Sequence, residues 1–323
     1  KARIEPIRQS KVAVFCTTGM RIYTYFSPRI PDGAARRAAV PPGVFREAGF
    51  PALRRTYSGN FPYFCRMTSL YHDIIFGPVH SRRLGLSLGV NLLPTESKLC
   101  SFDCIYCECG WNAEHPGARR FNTREDVRTQ LAATLRRMVA DGTPPDVITF
   151  AGNGEPTMHP RFEEVIDDTL ALRDELCPGA KVSVLSNATQ LHREEVCRAL
   201  SRVDNNILKL DSAFDATVRR MNNPQSPAYS VRDTVERMKR FGGRMILQTM
   251  FLRGECGGAP IDNTTEEEVA AWLALADEIR PRQVMVYSLD RDTPCQTLEK
   301  VPREELLAIA SRVEALGIPC SVA

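Results

Sequence analysis

Residues 100–109 read Cys100-Ser-Phe-Asp-Cys104-Ile-Tyr-Cys107-Glu-Cys109. Four thiols fall within these ten residues, at the spacing C-x3-C-x2-C-x-C. Core packing does not require thiols at this density, whereas thiolates on one short loop are typical of a zinc or iron–sulfur site. The stretch therefore predicts a metal centre, and the elements around it determine the fold that carries the centre.

One predicted strand precedes this cysteine loop, and five more alternate with helices after it. The strands cover residues 86–93, 146–151, 181–186, 206–211, 244–252 and 283–288. The first predicted helix follows an N-cap at Thr123, and the next three cover residues 160–176, 191–201 and 229–241. A fifth helix begins at a capping box, Thr264-x-x-Glu267, and the last runs from Pro302 to about Leu316. Alternation of apolar strands with helices predicts an α/β fold, in which helices cover a parallel sheet.

The alternation alone leaves two architectures open, an open doubly wound sheet and a barrel. A complete eight-stranded barrel needs two more strand–helix units than the six that this sequence contains. A partial (β/α)6 TIM-type barrel with parallel strands matches the count.

Composition limits the class of protein. The chain has 323 residues, of which 43% are hydrophobic and 25% are charged, as in a globular protein. It contains no run of 18 apolar residues and no secretory h-region near its start, so we expect no membrane association. Its eleven cysteines are odd in number, and four of them crowd into the cysteine loop. This distribution favours a reducing, cytoplasmic location over a secreted disulfide framework.

Residues 1–66 differ from the rest of the chain. They carry 12 Lys and Arg against 3 Asp and Glu, whereas residues 67–323 carry 30 against 36. Pro, Gly, Ala and Arg dominate residues 27–55, so we predict a poorly structured basic segment before a folded domain over 67–323. An RNA-binding arm is one alternative. The leading hypothesis is that translation begins at Met67 and that residues 1–66 are not native.

Polar residues stand at the C-terminal ends of the predicted strands, where a barrel gathers its functional groups. The glycines of Gly152-Asn-Gly-Glu155 let backbone approach a ligand, and the Glu155 carboxylate can accept a hydrogen bond from an ammonium. Lys209 lies in an apolar strand and needs a partner or a ligand. The alternative interpretation of Gly152-Asn-Gly-Glu155 is a plain strand-to-helix turn. The other residues at these ends are Ser186, Asn187, Asp211, Gln248 and Tyr287.

The spacing of the thiols bears on the metal. A structural zinc site usually has four protein ligands, often as two C-x2-C pairs, and no second pair exists here. Three thiols on one loop favour a four-iron cluster that leaves one iron open to an exogenous ligand. Cys109, Cys256 and Cys295 are candidate further thiols, with idle cysteines as the alternative. We place Cys256 in a flexible loop over residues 254–258.

The motif C-x3-C-x-aromatic-C, with Tyr106 as the aromatic residue, resembles the cluster motif of radical S-adenosylmethionine (SAM) enzymes. Residues 76–89, residues 150–160 and the late Tyr287-Ser-Leu-Asp-Arg are similar to the subgroup of wyosine-base synthases, which modify a tRNA purine. The similarity extends from about Ile74 to the end of the chain.

The resemblance implies both a chemistry and a site. Cys100, Cys104 and Cys107 would hold a 4Fe-4S cluster, whose open iron would bind SAM. An external donor of flavodoxin or ferredoxin type would supply the electron that cleaves SAM to a 5′-deoxyadenosyl radical. Residues 152–155 match the family's Gly-Gly-Glu motif, with Asn153 in place of the first Gly. The implied cofactor-binding residues are Tyr106, Gly152, Asn153, Gly154, Glu155, Ser186, Asn187, Lys209, Asp211, Gln248 and Tyr287.

The resemblance leaves the substrate open. Archaeal wyosine-base synthases carry three further cysteines upstream, whereas only Cys16 and Cys65 precede the cysteine loop here. The sequence does not name the substrate; a tRNA base is the candidate that the resemblance suggests, and the alternative within the superfamily is a glycyl radical enzyme that this protein would activate. The alternative from another class is a zinc-stabilised nucleic-acid-binding protein without redox chemistry.

Overall fold

A computed structural model of the protein describes residues 70–81, 85–115, 117 and 120–323. The predicted basic segment 1–66, with Cys16 and Cys65, lies outside these residues. Among the helices of the described part, none is long and apolar enough to cross a membrane.

The described residues form two β-sheets. The strands are β1 (Ile75–Ser81), β2 (Gly85–Val90), β3 (Val147–Phe150), β4 (Lys181–Ser186), β5 (Asn205–Lys209), β6 (Ile246–Met250), β7 (Leu252–Cys256), β8 (Ala259–Asp262), β9 (Gln283–Tyr287), β10 (Leu298–Lys300) and β11 (Cys320–Val322). The main sheet has the order β1-β2-β3-β4-β5-β6-β9-β11, and the small sheet has the order β10-β7-β8. In the main sheet β1 runs antiparallel to β2, and all the other pairs are parallel.

The six predicted strands correspond to β2, β3, β4, β5, β6 and β9, which are consecutive neighbours in the main sheet. The sheet is curled, and helices connect its successive strands along the chain. The predicted partial (β/α)6 barrel is therefore confirmed. The prediction missed β1, where Gly77 and Pro78 interrupt the apolar pattern, and β11, which is only three residues long. It was wrong about residues 254–258, because Cys256 pairs with Ala259 in the β7–β8 hairpin.

Seven α-helices are present in the described part of the chain. They are α1 (Arg124–Ala140), α2 (Phe162–Leu176), α3 (Glu194–Leu200), α4 (Asp215–Met221), α5 (Val231–Lys239), α6 (Glu266–Ile279) and α7 (Arg303–Ala315). Thr123 caps α1 as predicted, because its side chain accepts a hydrogen bond from Asp126 N. The predicted capping box at Thr264 is shifted by one residue, since Thr265 accepts from Glu268 N. The sequence analysis missed α4.

The strands of the barrel separate an apolar face from a polar face. Successive side chains of a strand point to opposite sides of the sheet. Leu88, Val90 and Val184 are buried in the core formed with the helices. On the other face, Ser87 Oγ lies 2.8 Å from Thr149 Oγ1 on the neighbouring strand. The interior of the partial barrel therefore carries polar groups.

Gly154 joins the cysteine loop to the end of β3. Leu99 forms a parallel bridge with Gly154, in which Leu99 N donates to Asn153 O at 2.8 Å and Glu155 N donates to Leu99 O at 3.2 Å. Gly154 has φ +141°, and a Cβ at this position would lie 1.9 Å from Leu99 O. Only glycine permits this close approach, which places Cys100 beside Glu155.

We predict that Gly154→Ala lowers the free energy of unfolding by roughly 2–6 kcal/mol, because it adds backbone strain and a steric clash. Gly179→Ala is the matched control, since a Cβ at that exposed glycine meets nothing within 4 Å. Urea unfolding of the two variants measures the difference. Equal stability of the two variants would show that the bridge does not constrain the loop.

Candidate functional site

Cys100, Cys104 and Cys107 lie together on the loop between β2 and α1. Burial raises the pKa of the Cys100 thiol well above its ordinary value, and the neighbouring Cys104, Glu155 and Cys107 raise it further. Burial and the adjacent Cys107 raise the pKa of Cys104 to about 11. The three thiols are therefore close enough to interact electrostatically, as their spacing predicted.

Cys109 is paired with Cys107. A hydrogen bond with Cys109 lowers the pKa of the Cys107 thiol against the effect of burial, and the ammonium of Lys98 lowers it further. The same hydrogen bond, together with burial, raises the pKa of Cys109. The Cys109 thiol also donates to Gly152 O at 3.5 Å. The Cys107 thiol therefore loses its proton more readily than the Cys109 thiol.

Lys98 is a cation that the sequence analysis missed. Its side chain is 1% exposed, and Nζ donates to Gly110 O at 2.5 Å and to Asp103 Oδ1 at 3.1 Å. Burial opposes its charge, but Cys107 and Cys100 raise the pKa of Lys98 above its ordinary value. A fixed positive charge therefore lies beside the thiols, where it offsets the negative charge of thiolates.

Glu155 connects the end of β3 to the end of β4. Its Oε1 accepts hydrogen bonds from Thr157 N at 3.0 Å and Ser186 Oγ at 2.9 Å, and its Oε2 accepts from Asn187 N at 2.6 Å. Burial raises the pKa of this carboxyl, and the hydrogen bonds from Asn187 and Thr157 oppose the shift. Glu155, Ser186 and Asn187 therefore form one connected group beside Cys100, as their positions at strand ends predicted.

Asn153 is fully buried, and its carboxamide is used within the protein. Nδ2 donates to Tyr71 O at 2.8 Å and to Pro94 O at 2.7 Å, and Oδ1 accepts from Tyr71 N at 2.7 Å. A Cβ at Gly152 would lie 2.5 Å from Asn91 Oδ1. At Gly152 and Gly154, protein atoms therefore occupy the space that a Cβ would need.

Tyr106, Lys209, Asp211 and Tyr287 form a second polar group at the same end of the barrel. Lys209 Nζ donates to Tyr287 Oη at 2.8 Å and lies 3.9 Å from Asp211 Oδ2. The Tyr106 hydroxyl donates to Asp211 Oδ2. Burial opposes the charge of Lys209, but Asp211 and Tyr287 raise its pKa above the ordinary value. Lys209 therefore has the partners that its place in an apolar strand required.

Gln248 lies on the same face of the main sheet as Lys209, because the two residues are paired in register between β5 and β6. Its side chain is buried. The structure thus brings the predicted polar residues of β3, β4, β5, β6 and β9 to one end of the barrel, around the cysteine loop.

Two of the further cysteines meet on the small sheet. The Cys295 thiol donates to Glu255 O at 3.3 Å, and burial together with a hydrogen bond that Cys256 donates to Cys295 raises the pKa of Cys256 to about 12. Cys295 N donates to Ile105 O at 3.3 Å in the cysteine loop. The sequence did not indicate this pair, because the two thiols are separated by 39 residues.

Comparison with known proteins identifies the family. The model of the radical SAM superfamily matches residues 97–258. A UPF0026 protein of Synechocystis sp. is 31% identical over 69% of this chain and 77% of its own length, and one of Helicobacter pylori is 29% identical over 76% and 75%. The chain belongs to the radical SAM superfamily.

Solved structures support the fold. A radical SAM methyltransferase from Sphaerobacter thermophilus superposes with a TM-score of 0.56 at 16% identity, over 73% of this chain and 65% of that one. Streptococcus suis SuiB bound to S-adenosylmethionine superposes with a TM-score of 0.51 at 14% identity, over 71% of this chain and 49% of that one. This chain therefore spans less than two thirds of either protein.

Membership of the superfamily makes this protein an enzyme whose cofactors are a 4Fe-4S cluster and SAM. In the described residues, no group of three His, Cys, Asp or Glu side chains is arranged around a single metal ion. A four-iron cluster binds each cysteine through a different iron, so its ligands surround the cluster and do not meet at one point. Three neighbouring thiols beside a buried cation therefore fit this cofactor.

We predict that Asn153→Gly lowers the free energy of unfolding by about 2–5 kcal/mol, because three buried hydrogen bonds are lost and their partners remain buried. Asn223→Gly is the control, since Asn223 is exposed and has φ +42°, which glycine adopts readily. Urea denaturation curves of the two variants, fitted with a common m-value, compare their free energies of unfolding. If Asn153→Gly unfolds at the wild-type midpoint, the carboxamide does not stabilise the motif.

Proposed function

We propose that Cys100, Cys104 and Cys107 hold a 4Fe-4S cluster that cleaves SAM reductively and starts radical chemistry on a substrate. Bound there, the cluster would supply the electron for the reductive cleavage of SAM, and that cleavage would start the radical reaction on the substrate. The observation that carries the proposal is the grouping of three thiols at the polar end of the barrel. The fourth thiol, Cys109, donates to Gly152 O at 3.5 Å, and we assign it no iron, so that the cluster has three protein ligands.

The residues around Cys100 suit the methionine part of SAM. Glu155 is the carboxylate next to Cys100, and it would attract the amino group of a molecule bound at the open iron. Ser186 Oγ and Asn187 N donate hydrogen bonds to the same carboxylate. We therefore assign Ser186 and Asn187 to the same part of the site. We assign the backbone of residues 152–154 to the wall of this part of the site. Asn153 acts there by holding the motif in place.

The second polar group suits the remainder of SAM and the substrate. Lys209 is a half-buried cation, and its ammonium lies 5.2 Å from the centre of the Tyr106 ring and 5.4 Å from that of Tyr287. Asp211 pairs with Lys209 and accepts a hydrogen bond from Tyr106, and Lys209 donates to the Tyr287 hydroxyl. The rings of Tyr106 and Tyr287 therefore have defined positions. We assign Tyr106, Lys209, Asp211, Gln248 and Tyr287 to the wall of the site opposite Glu155.

An electron donor must approach the cluster from outside. Cys107 is half-buried and the next residue, Glu108, is exposed, where it forms an ion pair with Arg291 at 2.7 Å. This is the side of the cysteine loop that meets solvent. We assign it to a donor of flavodoxin or ferredoxin type, because electron transfer requires a short path to the iron.

The sequence resemblance makes a tRNA purine the substrate to test. RNA binding requires a positively charged surface, whereas residues 67–323 carry 36 acidic against 30 basic side chains. Comparison of tRNA nucleosides and small metabolites between strains with and without the gene addresses this directly. Loss of one modified purine supports the tRNA proposal. An unchanged nucleoside profile with an accumulated metabolite contradicts it.

We predict that anaerobic reconstitution of the wild-type protein gives about four irons per chain and broad absorbance near about 400 nm. After reduction, the protein forms 5′-deoxyadenosine from SAM. The triple variant Cys100→Ala, Cys104→Ala, Cys107→Ala loses both the iron and the product. Cys177→Ala is the matched control, because this buried thiol lies in the helical core and its variant keeps both.

Two results would contradict the proposed function. One is a triple variant that binds as much iron as the wild-type protein. The other is a colourless wild-type protein that contains one zinc ion after purification without oxygen. Circular dichroism of the triple variant separates loss of the cluster from loss of the fold.

A further inference from the structure

Asn222 follows α4 and is 1% exposed. The turn around it pairs with the cysteine loop through the backbone. Asp103 N donates to Asn222 O at 2.9 Å, and Ile105 N donates to Met221 O at 2.9 Å. These two bonds lie on either side of Cys104, so the turn after α4 determines where that cysteine stands.

The carboxamide of Asn222 reaches three acceptors. Nδ2 lies 2.7 Å from Asp211 Oδ2, 2.7 Å from Tyr106 Oη and 3.5 Å from Cys104 Sγ. Tyr106 and Asp211 are hydrogen-bonded to each other, so their two oxygens lie side by side. One N–H of the amide can serve these oxygens, and the second N–H is then directed to the sulfur of Cys104.

The other two cysteines also have donors. Asn187 Nδ2 lies 3.7 Å from Cys100 Sγ, and the ammonium of Lys98 is the cation beside Cys107. Each of the three thiols therefore has a polar partner, and the partners of Cys100 and Cys104 are amides from two different parts of the barrel. Asn222 has the shorter of the two amide contacts.

Hydrogen bonds to the sulfur ligands of an iron–sulfur cluster stabilise its reduced, more negative state and so raise its reduction potential. We propose that Asn222 is a positioning residue that sets the reduction potential of the cluster through its N–H donated to Cys104, while it holds Tyr106 and Asp211 in place. The inference rests on the proposed function, because it requires a cluster on Cys104. An amide has no charge, so its effect persists across the working range of pH.

The test is the midpoint potential of the reconstituted cluster, followed by electron paramagnetic resonance (EPR) during a redox titration without SAM. Asn222→Leu removes the N–H donors at similar volume, and Asn222→Ser removes them with a smaller side chain that stays polar. The hydrogen bond is stronger when the cluster carries more negative charge, and we expect its loss to lower the equilibrium constant for reduction about tenfold. For a one-electron step this is a shift of about 59 mV to more negative potential.

Asn206→Leu is the matched control. Asn206 is also a buried asparagine, and no hydrogen-bond partner for its carboxamide is found in the described residues. It precedes Ile207 on β5, and its side chain points to the helical side, away from that of Lys209. We expect its variant to keep the wild-type iron content and midpoint potential.

The outcomes separate three cases. Wild-type iron content with a negative shift in both Asn222 variants supports the inference. Wild-type iron content with an unchanged potential in either variant overturns it, as does a shift of the same size in Asn206→Leu. A wild-type protein that takes up no iron refutes the proposed function itself, before Asn222 is tested.

Discussion

The parallel bridge between Leu99 and Gly154 is the contact on which the site depends. It is an isolated bridge beyond the end of β3, and it places Cys100 directly beside Glu155. A side chain at Gly154 would occupy the place of Leu99 O, so the cysteine loop can lie there only because this residue is glycine. The turn after α4 holds the loop from its other side. Two distant parts of the barrel thus fix the positions of the thiols.

The charges of the site balance within the protein. Lys98 is a buried cation and Lys209 is a half-buried one, and each is close to a carboxylate, Asp103 and Asp211 respectively. Thiolates and a SAM carboxylate would add negative charge, which these cations and amide donors offset. The fourth thiol, Cys109, donates to Gly152 O at 3.5 Å. Cysteines that look equivalent in the sequence therefore have different partners in the structure.

The sequence predicted the six parallel strands and the polar residues at their ends, because alternation and spacing are local patterns. It could not predict Asn222 or Lys98, since an asparagine after a short helix and a lysine before a cysteine are ordinary residues until tertiary contacts place them. Asn153 shows the same limit. It was predicted to bind a cofactor from its place in a motif, but its carboxamide contacts Tyr71, which is 82 residues away. Motifs therefore located the site, and long-range contacts decided what each residue does there.

The central claim is that three cysteines leave one iron of the cluster open to SAM. The EPR spectrum of the reduced, reconstituted protein with and without SAM tests it directly, because a ligand on that iron changes the electronic structure of the cluster. We predict that SAM alters the spectrum of the wild-type protein and of Cys109→Ser alike. An identical spectrum with and without SAM, or loss of the cluster in Cys109→Ser, would contradict the account.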